Sequence, residues 1–401
     1  MTIGIRYISH GDNSGYGLAA LAYVRALHDL GVPVRWEPWL LGPQAAPWQP
    51  ESGLAALPLA HAATRDNNSS DVPALIAATT RPIDYDTIVV HTLPEHWSRF
   101  AELGKRLVGY TTWETDAVPH HWRELLPAAD VILVPSTFNA TLFESTGIGR
   151  PVHAVPHIHR HAWSRAAVDD AKALRRRAQI PDDHFVFYFV GAWDPRKDVA
   201  GLIAAFVREF SARDKVTLLV KTSAKADSAS LDAQQPMSLH EITFKVVDRV
   251  CGATGREPPN VSVLAVDNMS ARTLDAIHAA SDAYVSLSHG EAWGMGAFEA
   301  ATLGKPVIIT GWGGQLDYLG ADYPGLLRYE MAPVSGWLPE ARYQPPQRWA
   351  HADTAQFSER LRAAASGNGE LASAAARVKE EIASRYSESS VAQRFLAAVG
   401  G

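Results

Sequence analysis

Cysteine is almost absent from this chain. A single residue, Cys251, among 401 excludes an internal disulfide and any metal site built on a cysteine cluster. No stretch approaches the ~20 consecutive apolar residues of a membrane span. An excess of basic charge is lacking: 37 Lys and Arg against 43 Asp and Glu give a net charge of −6 at pH 7, which argues against a binder that neutralises nucleic-acid phosphates. Heptads and short tandem repeats are missing, which sets aside coiled coils and solenoids. The segment Met1 to Ile8 reads directly as a strand and not as a targeting peptide. We therefore read the chain as cytoplasmic and the Asn-x-Ser/Thr patterns at Asn67, Asn68, Asn139 and Asn268 as chance matches.

What remains is an ordinary globular composition, 47% hydrophobic and 20% charged, on a length that suits two domains. Strand Ile3–Ser9, a polar loop from His10 to Gly17, a helix striped by Leu18, Leu21, Val24 and Leu27, and strand Val32–Trp36 make a βαβ start. Gly15-x-Gly17-x-x-Ala20 fits the loose dinucleotide fingerprint, and Glu37 lies near the place of a ribose-binding acid. That pattern supports an NAD-dependent oxidoreductase; the alternative is a tight turn that packs helix close to strand. Residues 42–72 read as surface connections with a short helix. Asp84-Tyr85-Asp86 precedes the strand Thr87–Val90, whereas a metal-binding pair belongs at a strand's far end, so it reads as a turn and no metal is assigned. His91 to His96 leaves the strand end as a ligand-facing loop does. Arg106–Thr111 is a strand, Asp130–Ser136 a strand with a helix cap, and Val152–Pro156 the last strand of this half. Residues 157–183 form the connection, with Lys172 to Arg177 as a solvated helix face.

A second half restarts at the apolar strand Phe185–Val190. Arg196 and Lys197 precede a helix carrying Leu202, Ile203, Ala205, Phe206 and Phe210. Cations at a helix N-terminus cost ~0.3–1 kcal/mol each, a penalty that a bound anion reverses; the plainer reading is an exposed pair tempered by Asp194 and Asp198. Strands follow at Val216–Lys221 and Val261–Leu264, with a helix from Ser238 to Cys251 between them. After the helix Thr273–Ala280 come strand Ala283–Leu287, a loop with Gly290, Gly294 and Gly296, a helix that Gly304-Lys305-Pro306 stops, and strand Val307–Ile309. This places free backbone N–H groups where an anion suits them. Glu291 and Glu299 bracket the loop; on spacing alone they also fit a loop charge and a dipole-friendly helix start. Amphipathic helices at 353–365 and 371–382 precede a last segment, Tyr386–Val399.

Glu291-x7-Glu299, the tail Gly311-Trp312-Gly313-Gly314-Gln315-Leu316-Asp317, the Arg196-Lys197 pair and Asp130-x4-Pro135-Ser136 together resemble the retaining glycosyltransferases of the GT-B fold, family 4 (glycosyl transferases group 1). The resemblance spans nearly the whole chain, most strongly 185–210 and 273–320. It implies an α/β protein of two Rossmann-like domains facing across a cleft: 1–165 on the acceptor side, 166–385 on the nucleotide-sugar side, and 386–401 crossing back to the first domain. It implies a GDP- or UDP-linked sugar as donor, a carbohydrate or lipid-linked acceptor, no nucleic acid partner, and no cofactor or metal. By position Glu299 would hold the ribose and Glu291 the transferred sugar. Arg196, Lys197 and the amides of Trp293, Gly294 and Met295 would face the diphosphate, and Gly15, Tyr16 and Gly17 would approach it from the other domain. Lys221 and Val266 would lie near the base. On the acceptor side stand His10, Trp113, Glu114, Asp116 and His120, with Trp113 and Trp122 available to stack on a sugar; the start of a surface helix is the other reading of His120, His121 and Trp122. Relatives often carry a His-Asp pair near Trp113-Glu114, and no catalytic histidine is transferred to this chain. Trp97, Phe100, Lys105 and Arg106 make either a basic-aromatic face for peripheral membrane contact or an ordinary half-buried helix. Alternatives to the transferase are the oxidoreductase, a sugar-nucleotide epimerase of similar layout, and a glycan-binding module without activity.

Overall fold

Alternating apolar strands and helices build two parallel sheets. The computed structural model describes residues 4–40, 46–49, 52, 57, 59, 71–159, 165–224, 237–267, 269–335, 342–367 and 369–400. The first sheet contains β1 (Ile5–His10), β2 (Val34–Leu40), β3 (Ala46–Pro47), β4 (Thr87–His91), β5 (Arg106–Tyr110), β6 (Val131–Val134) and β7 (Val152–Ala154), in the order β3-β2-β1-β4-β5-β6-β7. All neighbours are parallel except β2 and β3. The second contains β8 (Phe185–Val190), β9 (Val216–Thr222), β10 (Asn260–Ala265), β11 (Ala283–Ser286), β12 (Val307–Thr310) and β13 (Leu326–Leu327), in the order β10-β9-β8-β11-β12-β13 and parallel throughout. Strand order reverses between β1 and β4 in one sheet and between β8 and β11 in the other. A ligand crevice opens at such a switch point, beyond the carboxyl ends of the strands.

Local chemistry explains the helix starts. Ser14, Ser136 and Ser270 accept from the backbone N–H of Gly17, Asn139 and Thr273, and Ser238 with Glu241 completes a capping box. The last helix, Glu388–Gly400, returns to pack on the first, Gly15–Asp29, where the Phe395 ring lies 5.5 Å from Tyr23 and 6.1 Å from Tyr7. The halves also touch directly. The backbone N–H of Thr137 donates to Asp317 (2.8 Å), and Arg348 and Asp116 exchange two bonds, Arg348 N to Asp116 Oδ1 at 2.6 Å and Asp116 N to Arg348 O at 3.0 Å.

One element is added, one local reading changes, and one pair of alternatives is decided. An antiparallel hairpin of β14 (Tyr329–Pro333) and β15 (Arg348–Ala352), not expected from the residue pattern, packs behind the Gly290 loop. Lys172, Arg176 and Arg177 are exposed as a solvated face requires, but Arg175 turns inward: its Nε donates to Ala280 O (2.8 Å) and its Nη1 to His184 O (3.2 Å). Trp97 and Phe100 are buried core residues, so a surface basic-aromatic face does not form there. Most of residues 42–72 lie outside the described residues. No helix among those described is long and apolar enough to cross a membrane.

Candidate active site

The carboxyl ends of β8 and β11 supply the cations and the carboxylate of the cleft. After β8 the chain makes a short turn, Pro195–Lys197, capped by Asp194, whose carboxylate accepts from Lys197 N at 2.9 Å. Asp198 then takes a left-handed conformation (φ 45°) and caps the helix Val199–Glu209 through Gly201 N at 3.1 Å. This geometry turns the Lys197 and Arg196 side chains toward Glu291. Lys197 Nζ donates to Glu291 Oε1 at 2.5 Å, and Arg196 lies 3.5 Å from Glu291 Oε2 and 3.5 Å from Glu114 of the opposite half. Arg196 Nη1 also donates to Gly290 O at 2.6 Å. Burial drives the Glu291 carboxyl toward protonation, but Lys197 and Arg196 outweigh it and hold the pKa below its usual range. Glu291 is therefore an ionised, buried carboxylate.

Backbone conformation shapes the loop after β11. Gly294 adopts φ +82° at the start of the helix Met295–Thr302, a conformation that L side chains rarely take. A Cβ on Gly290 would stand 2.0 Å from the carbonyl of Glu114, so glycine lets the halves meet here. Behind the loop, His289 Nδ1 donates to Ala350 O (2.8 Å) and Ala350 N to His289 O (2.9 Å), which ties the loop to the hairpin.

These groups enclose a cavity of about 400 Å³ between the halves. Gly15, Tyr16 and Glu114 line it from the first half; Arg196, Lys197, Glu291 and Trp293 to Met295 line it from the second. The formal charges are two cations, Arg196 and Lys197, against three carboxylates, Glu114, Asp194 and Glu291. Attraction for an anion must come from its proximity to the cations and to the N–H groups at the start of Met295–Thr302, because the net charge does not supply it.

Other predicted residues stand elsewhere. Glu299 sits in the helix behind the loop, its carboxylate 3.5 Å from His278 Nε2, while His278 Nδ1 is 2.6 Å from the Tyr188 hydroxyl. Lys221 is close enough to Glu299 and Asp267 for both carboxylates to oppose the lowering of its pKa by burial. Val266 is 43% exposed on the same side. Gly17 packs into the turn, where a Cβ would lie 2.0 Å from Asp12 O, and Glu37 is bound by Arg6 at 2.8 Å and Arg35 at 3.1 Å. Gly17 thus serves a tight turn, Gly15 has open space beside it and lines the cavity, and the supposed ribose acid is already engaged. Trp113 is buried, with Nε1 donating to Thr115 Oγ1 (2.7 Å) and Ala117 O (2.8 Å), and Trp122 is fully buried, so neither ring offers a face to a sugar. His10 is buried and stacks on Tyr16 at 5.1 Å; His120 is exposed at a helix start; Asp116 is spent on Arg348. The Asp84-Tyr85-Asp86 turn stands at the amino end of β4, away from the cleft, and Asp86 accepts from the neighbouring Thr87 hydroxyl. No cluster suited to a metal ion occurs among the described residues.

Sequence reasoning gave no role to His157, Asp194 or Tyr284, all of which line the cavity. The available signal was positional: His10 and His91 end β1 and β4, and His157 follows β7, all at the carboxyl edge of one sheet.

Two Rossmann-like domains facing across a cleft define the GT-B architecture. Residues 258–330 match the model of the family described as glycosyl transferases group 1. Among solved structures, the chain is similar to a UDP-forming α,α-trehalose-phosphate synthase from Burkholderia xenovorans (16% identity, 100% of this chain and 99% of that one, TM-score 0.64). It is also similar to the E. coli trehalose-6-phosphate protein bound with UDP-2-fluoro glucose (14% identity, 98% of each chain, TM-score 0.62). Against S. aureus TarM, solved with UDP, fondaparinux and α-GlcNAc-glycerol, it covers 79% of its own length and only 55% of the other (11% identity, TM-score 0.53). A search of curated protein sequences finds no match.

Proposed function

We propose that this chain is a retaining glycosyltransferase of family 4 type that moves a hexose from a GDP- or UDP-linked donor to a hydroxyl of a glycan, glycolipid or other acceptor, without a metal. The observation that carries the reading is the convergence of Arg196, Lys197 and Glu291 on one cavity at the switch point of the second sheet, beside the N-terminus of Met295–Thr302. The family match over residues 258–330, which include Glu291 and the helix Met295–Thr302, supports it.

In this reading residues 1–165 form the acceptor side, 166–385 the donor side, and 386–401 the return. Arg196, Lys197 and the Trp293–Met295 amides face the diphosphate and stabilise charge as it leaves. Glu291, held by Lys197, accepts from the transferred sugar's hydroxyls, while Glu299 holds the ribose and Lys221 and Val266 flank the base. The bond from the anomeric carbon to phosphate oxygen breaks, and the bond to the acceptor oxygen forms on the same face. The acceptor's proton passes to the departing phosphate oxygen, so no protein nucleophile is required. In this reading the reaction takes place in the cytoplasm, and the family resemblance suggests surface-polysaccharide assembly as its context.

The test is product analysis. The chain is incubated with UDP-glucose or GDP-mannose, methyl glycosides and EDTA. Release of nucleoside diphosphate with an axial glycosidic linkage in the product is expected. An inverted linkage, or turnover abolished by EDTA, contradicts the mechanism; interconversion of the nucleotide sugar without an acceptor selects the epimerase instead.

A further inference from the structure

His91 ends β4 and is 1% exposed. Its ring lies face to face on Tyr110 (4.0 Å between centroids, 3° between planes), with Tyr7 and Tyr16 edge-on at 6.1 and 5.6 Å. The position is fixed by aromatic packing on three sides, yet the ring also lines the cavity between the halves. Its two nitrogens are unequal. Nδ1 is 2.8 Å from the Tyr7 hydroxyl, whereas Nε2 has no hydrogen-bond partner among the described residues.

The proton on this ring can be placed. The Tyr7 hydroxyl is buried, and burial pushes its pKa far up, so it keeps its proton. Its hydrogen-bond partner among the described residues is His91 Nδ1, and a buried hydroxyl donates where it has an acceptor. Nδ1 therefore accepts. Burial, with His157 and His10 adding to it, holds the His91 imidazole in its neutral form. A neutral ring that accepts at Nδ1 carries its hydrogen on Nε2.

We propose that His91, through Nε2–H, donates a hydrogen bond to a hydroxyl oxygen of the sugar held in the cleft, and so positions and selects the carbohydrate from the first half. The ligand class follows from the donor. A neutral N–H in an aromatic wall reads a hydroxyl lone pair, while the charged groups for phosphate, Arg196 and Lys197, stand in the other half. The oxygen belongs either to the transferred sugar or to the acceptor. This inference rests on the glycosyltransferase reading of the same cavity.

The test measures UDP and UDP-glucose binding, and GDP and GDP-mannose in parallel, by calorimetry on wild type, His91→Phe and His91→Gln. It also follows release of nucleoside diphosphate to water and to methyl glycosides. Phenylalanine keeps the stack on Tyr110 and removes the donor; glutamine restores an N–H near the place of Nε2. With the transferred sugar as partner, His91→Phe keeps wild-type affinity for the free diphosphate and loses about tenfold or more for the nucleotide sugar. With the acceptor as partner, affinity for the donor and release to water are unchanged, and kcat/KM for the methyl glycosides falls by that factor. In either case His91→Gln recovers part of the loss. The proposal is overturned if His91→Phe matches wild type within twofold throughout. It is equally overturned if diphosphate and nucleotide-sugar affinity fall together with Tm and glutamine rescues neither, because that marks a purely structural ring. Failure of wild type to bind any of the four compounds defeats the transferase reading itself, a different result from either.

Discussion

Lys197 and Glu291 form the shortest ion pair of the cleft, 2.5 Å between Nζ and Oε1, although 94 residues separate them in the chain. The pair joins the cation expected to meet a diphosphate with the carboxylate expected to meet the sugar. Removing Lys197 leaves the buried Glu291 carboxylate with only the longer contact to Arg196 at 3.5 Å, a cost below the ~3–5 kcal/mol of a wholly uncompensated buried charge. Lys197→Ala is therefore expected to lower stability and also to reduce kcat by about 10²-fold, the scale of losing one preorganised charge-stabilising donor. The double variant Lys197→Ala/Glu291→Gln separates the two effects: denaturation should show stability largely recovered, and steady-state kinetics should show turnover still low.

Asp198 gives a pH prediction. Burial raises its carboxyl pKa to about 6, against the bond from Gly201 N that favours the charged form. The folded value lies above the unfolded one of 3.8. From about pH 4 to pH 6 the folded state holds a proton that the unfolded state has lost, so stability falls as pH rises through this window, by on the order of 2–3 kcal/mol in full. Asparagine can still cap Gly201 and tolerates the left-handed backbone. Asp198→Asn should thus raise Tm at pH 8 and change it little at pH 4. His289, which burial holds down at about 4, acts with the opposite sign over the same range, so the difference between variant and wild type is the informative measurement.

Gly290 controls the approach of the halves. A methyl group there meets the Glu114 carbonyl at 2.0 Å, and backbone on both sides leaves little room to adjust. Gly290→Ala should separate the two halves at the cleft without unfolding either. Small-angle scattering should report a larger radius of gyration, and turnover should drop at least tenfold at nearly unchanged far-UV circular dichroism. Unchanged scattering and activity would mean that the contact is dispensable.

The fold was readable because each parallel strand is an apolar run with a turn or cap at its end. Phe185–Val190 and Val307–Thr310 carry that pattern without ambiguity. Arg196 and Lys197 stood out because cations are costly at a helix start, whereas Glu291 stood out only through the Glu291-x7-Glu299 spacing and the resemblance it carries. Trp113 was misread as a stacking surface. Polar neighbours in sequence suggested exposure, but Thr115 and Ala117 fold back to satisfy its indole N–H and bury the ring. The strands of the hairpin, Tyr329–Pro333 and Arg348–Ala352, are short and show no alternation of buried and exposed positions, so no period-2 pattern marks them. His91 was placed on a ligand-facing loop, but its tautomer depends on Tyr7, a contact across 84 residues.

The most direct test of the central claim is a thermal-shift panel with UDP, GDP, ADP and NAD, with and without EDTA, on wild type and Glu299→Ala. A ligand at ~100 times its dissociation constant adds ~2.7 kcal/mol to folding stability, a readily measured shift. The account predicts that UDP or GDP stabilises wild type, that EDTA has no effect, and that the shift is lost in Glu299→Ala. Stabilisation by NAD alone, or a nucleotide shift that survives Glu299→Ala unchanged, would contradict it.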